Sequence, residues 1–375
     1  MRGTTRREFL GLLGGLGASA TALGCGSSCG RPVGTGRPHA APGSLPTEGL
    51  PSPTHMHPSD TAPQGSGGAT GQAAGNTTAL PTRTRVVIVR SRKALHSGYD
   101  ADLSVLATML TEGLRALLGP HDPATVLARL LGTDGVIGLK VNCLAGRQAA
   151  THVELVHVLS QRLQAAGIRP TRQVVFDKAG ADLVAAGFEL GQGRLYLCQG
   201  NDALSYEEEP TLMPSSASRL PRLLTEKVTT LINLPVLKQH MLAGITGALK
   251  NHFGCIDNPN KMHIAGCDPY IAEVNALPAI RSKQRLIVMD ALRPVIDMGP
   301  SYQPGLAEPY HGLLLGTDPV AIDTVGIEIL DELRRGRKLP PLAATSPGPV
   351  HVQTAARMGL GIAERSRIEI LRLEV

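Results

Sequence analysis

Aromatic residues are scarce: four Phe, six Tyr and no Trp among 375 residues. No block of Lys or Arg compensates, so the chain offers neither a stacking platform for bases nor a stripe that tracks phosphates. A formal charge of +6 is too mild to suggest a polyanionic partner, and nucleic acid is not expected. Cysteine is equally sparse. The six fall at 25, 29, 143, 198, 255 and 267 with no CxxC, which excludes a self-contained iron-sulfur motif. There is no GxxxxGK(S/T), and no GxGxxG beyond residue 82 follows a strand and opens a helix, so neither nucleotide fingerprint is present. No internal repeat recurs at a period of about 20 to 50 residues.

A long apolar run is missing too. Thr5-Arg6-Arg7-Glu8-Phe9-Leu10 leads into Gly- and Ala-rich residues up to Gly24, enough for about 24 Å of helix against a hydrocarbon core of roughly 30 Å. This predicts a twin-arginine signal peptide over 1–24, with Arg6 and Arg7 read by the twin-arginine translocation machinery and the product exported to the periplasm or another extracytoplasmic space. Ala22-Leu23-Gly24-Cys25 suits cleavage before Cys25. Lipid attachment there, which would be the protein's one membrane anchor, and a freely soluble form are both open. Residues 25–82 are rich in Gly, Pro and Ser and poor in large apolar side chains, which predicts a disordered linker.

Residues 83–375 alternate short β-branched runs with helical patterns. That is the signature of an α/β domain whose largely parallel, mixed sheet carries helices on both faces. Candidate strands are Arg85 to Val89, Val136 to Val141, Gln173 to Phe176, Arg194 to Cys198, Val228 to Leu234, Arg285 to Met289, Gly312 to Leu315 and Ile368 to Leu373. Between the second and third, Thr151-His152-Val153-Glu154 reads as a capping box opening a helix that closes near Gly167. Ligands of open parallel sheets lie beyond the carboxyl ends of strands. That rule collects Lys140, Asn142, Asp177, Lys178, Lys238, His240, Asp290 and Asp318 at one edge. Asp318-Pro319 is also a helix N-cap, and Asp323, five residues on, points about 140° away, so the two carboxylates are a poor local acid/base pair.

Chemistry is concentrated in residues 238–267, which hold three of twelve histidines and two of six cysteines. Imidazole, amine and thiol are the groups that titrate or bind metals near neutral pH. Gly244-Ile245-Thr246-Gly247 precedes a short helix, where small residues let backbone N–H groups approach an anion and Lys238 could complete its charge. Lys250, Asn251 and His252 fan around that helix's last turn, with Gly254 as its stop. His252, Cys255, His263 and Cys267 follow H-x2-C-x7-H-x3-C, a thiolate and imidazole set of the kind zinc favours. A shared metal ion, a Cys255 to Cys267 disulfide and unconnected residues are the three readings of that spacing.

LPVLKQH at 234–240, GALKNHFG at 247–254, a later His, RLIVMDALRPVIDMGP at 285–300 and LLLGTDPVAIDTVG at 313–326 stand in an order that resembles the family known as domain of unknown function 362, in its exported twin-arginine subgroup. The resemblance covers about residues 84 to 335. LKVN at 139–142 is similar to the family's first motif, but Val141 stands where Pro is usual. Some relatives carry added ferredoxin-type clusters whose motifs are missing here. The resemblance implies candidacy for Lys140, Asn142, Lys238, His240, Lys250, Asn251, His263, Asp290, Asp318 and Asp323, and no reaction.

These features lead to an enzyme expectation. Lys238, His240, Lys250, His252 and Asp290 are the catalytic candidates for Lys/His acid-base work on a small anionic substrate; Lys140, Asn142, Asn251, Asp318 and Asp323 are the substrate-binding ones. A metal or redox cofactor is an open addition. The alternative from another class is a non-catalytic periplasmic or surface protein that binds a metal or an anionic ligand with the same residues.

Overall fold

The structure is a computed structural model that describes residues 82–96 and 99–375. The expected signal peptide with Arg6, Arg7 and Cys25, and the linker up to Pro81, lie outside the described residues. Among the described residues no helix is long and apolar enough to cross a membrane.

Thirteen strands form in the described part. They are β1 (Thr84–Arg90), β2 (Ile137–Lys140), β3 (Gln173–Asp177), β4 (Gly191–Gln192), β5 (Leu197–Gly200), β6 (Thr211–Met213) and β7 (Ser216–Ser218), then β8 (Thr230–Asn233), β9 (Val236–His240), β10 (Gly244–Thr246), β11 (Gln284–Val295), β12 (Gly312–Gly316) and β13 (Ile368–Glu374). All but β6 and β7 join one sheet of order β13-β1-β12-β11-β8-β2-β3-β5-β4, with β9 and β10 attached through β11. The run β11-β8-β2-β3-β5 is parallel throughout, while β12 and β4 are antiparallel to their neighbours. Each of the eight strands expected from the β-branched runs is present, the Arg194 one moved a few residues toward the C-terminus.

The runs are continuously apolar because both faces of the sheet are covered. Val87, Val89, Leu139, Val175, Ile232 and Leu315 face a core shared with Leu106, Leu110 and Leu114 of helix Leu103–Leu118 and with Leu155, Leu159 and Leu163 of helix Val153–Ala165. The opposite face carries helix Pro319–Gly336. Gly326 of that helix lies so close to Leu237 and Met289 that an added Cβ would meet Leu237 at 2.9 Å.

The chain departs from expectation where the site is built. After Asn233 the strand does not give way to a loop. Leu234 N–H still donates to Lys140 O, the chain bends at Pro235, whose carbonyl accepts from Asp290 N–H, and it resumes as β9 alongside β11. Lys238 and His240 therefore stand on a hairpin strand, cross-paired with Thr246 and Gly244 of β10. The turn that brings the chain back uses Gly244 at φ 77°, where a Cβ would strike the Gly348-Pro349 backbone. The capping box fails as well. Helix Val153–Ala165 starts after His152 with no side-chain cap, because the Thr151 hydroxyl instead donates to Leu234 O and accepts from Asn142 N–H.

Candidate functional site

Three neighbouring parallel strands end in polar residues: Asn233 on β8, Lys140 on β2 and Asp177 on β3, with Lys140 in register with Asn233 on one side and Phe176 on the other. All three are buried. Such groups must satisfy one another, and they do so through helix Ala248–Asn251. Lys140 Nζ reaches Asp177 Oδ1 at 2.7 Å and Val141 O at 2.6 Å. Asn251 Nδ2 donates to Asn233 Oδ1 and Lys140 O, and its Oδ1 accepts from Asn142 Nδ2 at 3.0 Å. Asp177 Oδ2 takes the Cys143 N–H at 2.7 Å. Lys140, Asn142 and Asn251, read from the sequence as ligand-binding, thus form an internally bonded clasp. Asn142 Oδ1 alone is left buried and without a partner.

Beyond this clasp lies a group with a different balance of charge. Lys238 is fully buried, and its Nζ donates to Ala149 O at 2.7 Å. Among the described residues no carboxylate ion-pairs with it, and burial pulls its pKa down to about 7, with Lys250 pushing the same way and Cys143, Asp177 and Asp290 resisting. Lys250, buried on the short helix, donates to His263 Nε2 at 3.1 Å and stands 4.8 Å from the centre of the Phe253 ring. Burial lowers its pKa to about 8. His263 Nδ1 faces Pro259 O at 2.9 Å, so that nitrogen carries the proton and Nε2 offers its lone pair to the amine. Burial, then Lys250, hold the His263 pKa near 3. Of this group His263 is the residue partly open to solvent.

His240 stacks on His263 with ring centres 5.8 Å apart and accepts the Leu242 N–H at Nδ1, leaving its Nε2–H as a donor. Burial and the neighbouring Lys250, His263, Lys238 and His351 keep it neutral, well below its usual pKa. His351, on helix Val350–Arg357, was not expected from the sequence. It is fully buried, neither ring nitrogen makes a well-formed hydrogen bond, and burial with Lys250 nearby lowers its pKa to about 3. A lone histidine in GPVHVQ carries no signal that would have singled it out.

Asp290 lies within β11 rather than at its end. Its Oδ2 accepts both the N–H of His152, at 2.9 Å, and that residue's ring Nδ1, at 2.7 Å, while Oδ1 accepts from Leu292 N–H. The other ring nitrogen of His152 meets Tyr99 O at 2.9 Å, and Tyr99 stacks on the ring at 4.0 Å. Both nitrogens therefore donate, the pattern of an imidazolium. Burial opposes its charge, but Asp290 outweighs burial and the net shift is upward. His152, Tyr99 and Asn233 also escaped the sequence reading; His152 had been taken only as part of a cap.

His252, placed among both the catalytic and the metal candidates, points elsewhere. Its Nδ1 meets Asn275 Oδ1 at 2.7 Å, and Asn275 is oriented by donating to Leu249 O and Ile271 O. His252 Nε2 is buried without a partner, and burial lowers its pKa to about 4. Cys255 and Cys267 are free, buried thiols rather than a disulfide. Cys267 Sγ contacts Leu242 O at 3.8 Å. Among the described residues no three His, Cys, Asp or Glu side chains gather where a metal ion could sit, so the H-x2-C-x7-H-x3-C spacing does not draw its four members together.

Asp318 caps helix Pro319–Gly336 through Val320 and Ala321 N–H, as Asp-Pro foretold, and also accepts from Ile362 N–H. Asp323 occupies the helix start that the sequence offered to an external anion. Its carboxylate accepts from Ala248 N–H at 2.5 Å and Leu249 N–H at 3.0 Å, and burial raises its pKa to about 7 against those two bonds. The chain fills that anion slot with its own side chain.

An α/β sheet with a buried cluster of amines and imidazoles at its carboxyl edge defines the class of protein. The chain belongs to the family described as domain of unknown function (DUF362), whose model matches residues 137–328. That span contains every candidate of the polar cluster except Tyr99 and His351. Among curated proteins none matches the chain. A crystal structure of a Thermotoga maritima protein is similar at 12% identity over 64% of this chain, with a TM-score of 0.37. The chain spans 61% of that protein's length.

Proposed function

We propose that this chain is an enzyme that performs Lys/His acid-base chemistry on a small anionic substrate. The reading is carried by one observation: Lys238 and Lys250 place two amines within electrostatic reach of each other, both buried and, among the described residues, neither ion-paired to a carboxylate. An amine in that state costs stability, and a bound anion offsets the cost by supplying the missing counter-charge. Thr246 Oγ1, on the strand position opposite Lys238, is buried without a partner and adds a hydroxyl to the same receiving surface.

Roles follow from the hydrogen bonds. Lys238 holds the anion. Lys250, its pKa lowered to about 8, is the group that gives or takes a proton near neutral pH, and His263 Nε2, 3.1 Å away, accepts its N–H and orients the amine. His240 acts as a neutral donor through Nε2–H rather than as a base, because its Nδ1 is engaged by Leu242. The Lys140 clasp and the His152–Asp290 pair hold these elements in position. No step is assigned to a metal or redox group.

Export by the twin-arginine route, to an extracytoplasmic location, belongs to the same proposal and rests on Arg6 and Arg7 ahead of a short apolar segment. Double replacement of Arg6 and Arg7 by Lys is expected to retain the precursor in the cytoplasm. Full export of that variant would overturn the localisation.

The functional test is a thermal-shift and calorimetric titration with phosphate, sulfate, acetate and pyruvate between pH 6 and 9. Millimolar stabilisation by at least one of them is expected, weakening as pH rises through the range where the two amines lose their protons, about 7 to 8, and lost in Lys238→Met. Indifference of the melting temperature to all four anions at every pH would reject an anion-binding site, and with it this function.

A further inference from the structure

Lys250 stands in an arrangement that the acid-base reading does not exhaust. A lysine becomes a nucleophile when its ammonium sheds a proton and the free amine is held in place, and three features of the structure suit Lys250 to that. Burial opposes its ammonium form, and among the described residues no carboxylate pairs with the amine. An acceptor orients it, since His263 Nε2 lies 3.1 Å from Nζ with its lone pair fixed by the Nδ1 contact to Pro259 O. The site borders solvent, because His263 is partly exposed and is followed by the exposed Ile264. Lysines activated by desolvation beside another cation are a recurrent solution for covalent catalysis on carbonyl compounds.

We propose that Lys250 is a covalent nucleophile that forms an iminium with a small carbonyl substrate carrying an anionic group, a 2-oxo acid being the simplest chemical class. The proposal rests on the acid-base reading above and names the substrate class for the same site. The Lys250 ammonium, its pKa lowered to about 8, gives one proton to solvent, and the free amine keeps its hydrogen bond to His263 Nε2. The amine attacks the carbonyl carbon, a C–N bond forms, and one proton passes from the nitrogen to the carbonyl oxygen, which becomes the hydroxyl of a carbinolamine. A proton from solvent adds to that hydroxyl, which leaves as water, and the nitrogen lone pair closes the C=N bond. The sum is ammonium plus carbonyl giving iminium plus water, with no oxidant or reductant. Lys238 faces the substrate's anionic group, and the Phe253 ring supports the cationic nitrogen of the ammonium and of the iminium alike.

The experiment is reductive trapping of the full chain with pyruvate and cyanoborohydride at pH 7.5, followed by peptide mass mapping. A single reduced adduct on Lys250 is expected, absent from Lys250→Arg and formed about a hundredfold more slowly in His263→Gln, which loses the acceptor that orients the amine. Circular dichroism and melting curves of both variants establish that they fold. A variant that fails to fold is replaced by competition: phosphate, held by Lys238, should protect Lys250 of the native chain from trapping. Adducts spread over surface lysines with no preference for Lys250, or trapping at Lys250 that neither His263→Gln nor phosphate slows, would overturn the proposal. Stabilisation by pyruvate with no adduct would overturn the covalent step and leave the anion-binding reading standing, whereas loss of both removes the two together.

Discussion

His152 and Asp290, 138 residues apart in the chain, meet twice at one carboxylate oxygen: the ring Nδ1 at 2.7 Å and the backbone N–H at 2.9 Å. Both side chains are buried. The double contact locks the entrance of helix Val153–Ala165 onto the middle of β11, so the Lys140 clasp and the Lys238 hairpin are held by a common strut.

This strut makes stability depend on pH in a defined sense. The His152 pKa is raised above 6.5, so its contribution is complete below that value and fades as pH climbs through the folded pKa. Burial works to raise the Asp290 pKa, but His152 outweighs it and the net shift is below 3.8; its contribution is complete above 3.8 and fades on acidification through its lower folded value. Replacing His152 by Gln should therefore cost on the order of 3 kcal/mol between about pH 4 and 6.5, and less as pH rises further. Urea titrations of both proteins across that range give the difference; a cost independent of pH would contradict an imidazolium.

Lys238 should behave in the opposite way. Its folded pKa of about 7 lies below the ordinary 10.5, so the unfolded chain binds more protons and stability rises between those values. Lys238→Met removes that slope and should stabilise the ligand-free protein at pH 6 by a few kcal/mol, each pKa unit being worth about 1.4 kcal/mol. Chemical denaturation at pH 6 and 9 measures it. A variant less stable than the parent at pH 6 would show that the bond to Ala149 O outweighs the burial of charge.

The Lys140–Asp177 pair predicts an asymmetry between single and double replacement. Asp177→Asn strands a buried ammonium and should cost about 3–5 kcal/mol, whereas Lys140→Met with Asp177→Leu should recover a large share of that loss. A double-mutant cycle followed by thermal melting reads the coupling, and additive losses would mean that the two charges do not depend on each other.

Gly247 and Gly254 stand at the helix start and the clasp, where a Cβ does not fit. At Gly247 it would meet Asp323 Oδ1 at 2.1 Å, and at Gly254 it would meet both Asp177 Oδ1 and Lys140 Nζ at 2.6 Å. Gly247→Ala should uncap helix Ala248–Asn251, and Gly254→Ala should wedge the ion pair apart, each at about 2–4 kcal/mol. Melting temperatures test both; a neutral Gly254→Ala would mean that the clasp yields at little cost.

The candidate site was legible where local pattern and long-range packing agree. Lys140, Lys238 and Lys250 stood out because amines beside β-branched runs or at a helix end are locally unusual, and the rule that ligands gather at the carboxyl ends of strands brought Lys140 and Lys238 to one edge. His263 was visible in the sequence but with a different role, because H-x2-C-x7-H-x3-C spacing says nothing about which way a ring faces. Its contact with Lys250 depends on the turn at Pro259, whose carbonyl takes the Nδ1 proton. The Thr151 capping box misled for a related reason: a hydroxyl that could cap its own helix found Leu234 O and Asn142 N–H instead. His351 and the His152–Asp290 contact left no local trace at all.

The sequence alone determined that an α/β sheet would form, where eight of its strands lie, that Asp318 would cap a helix, and that titratable groups crowd residues 238–267. Each of these follows from neighbours within a few positions, through side-chain period, turn chemistry or composition. Only the tertiary structure decided which amines lack a carboxylate, which imidazole nitrogens are bare, and that Asp323 fills the helix start that the local pattern offered to an anion. Those outcomes depend on burial and on contacts between distant segments, Asp323 with Ala248 and Lys238 with Ala149 among them, and the cost of an unmet charge exists only once the fold has removed the water around it.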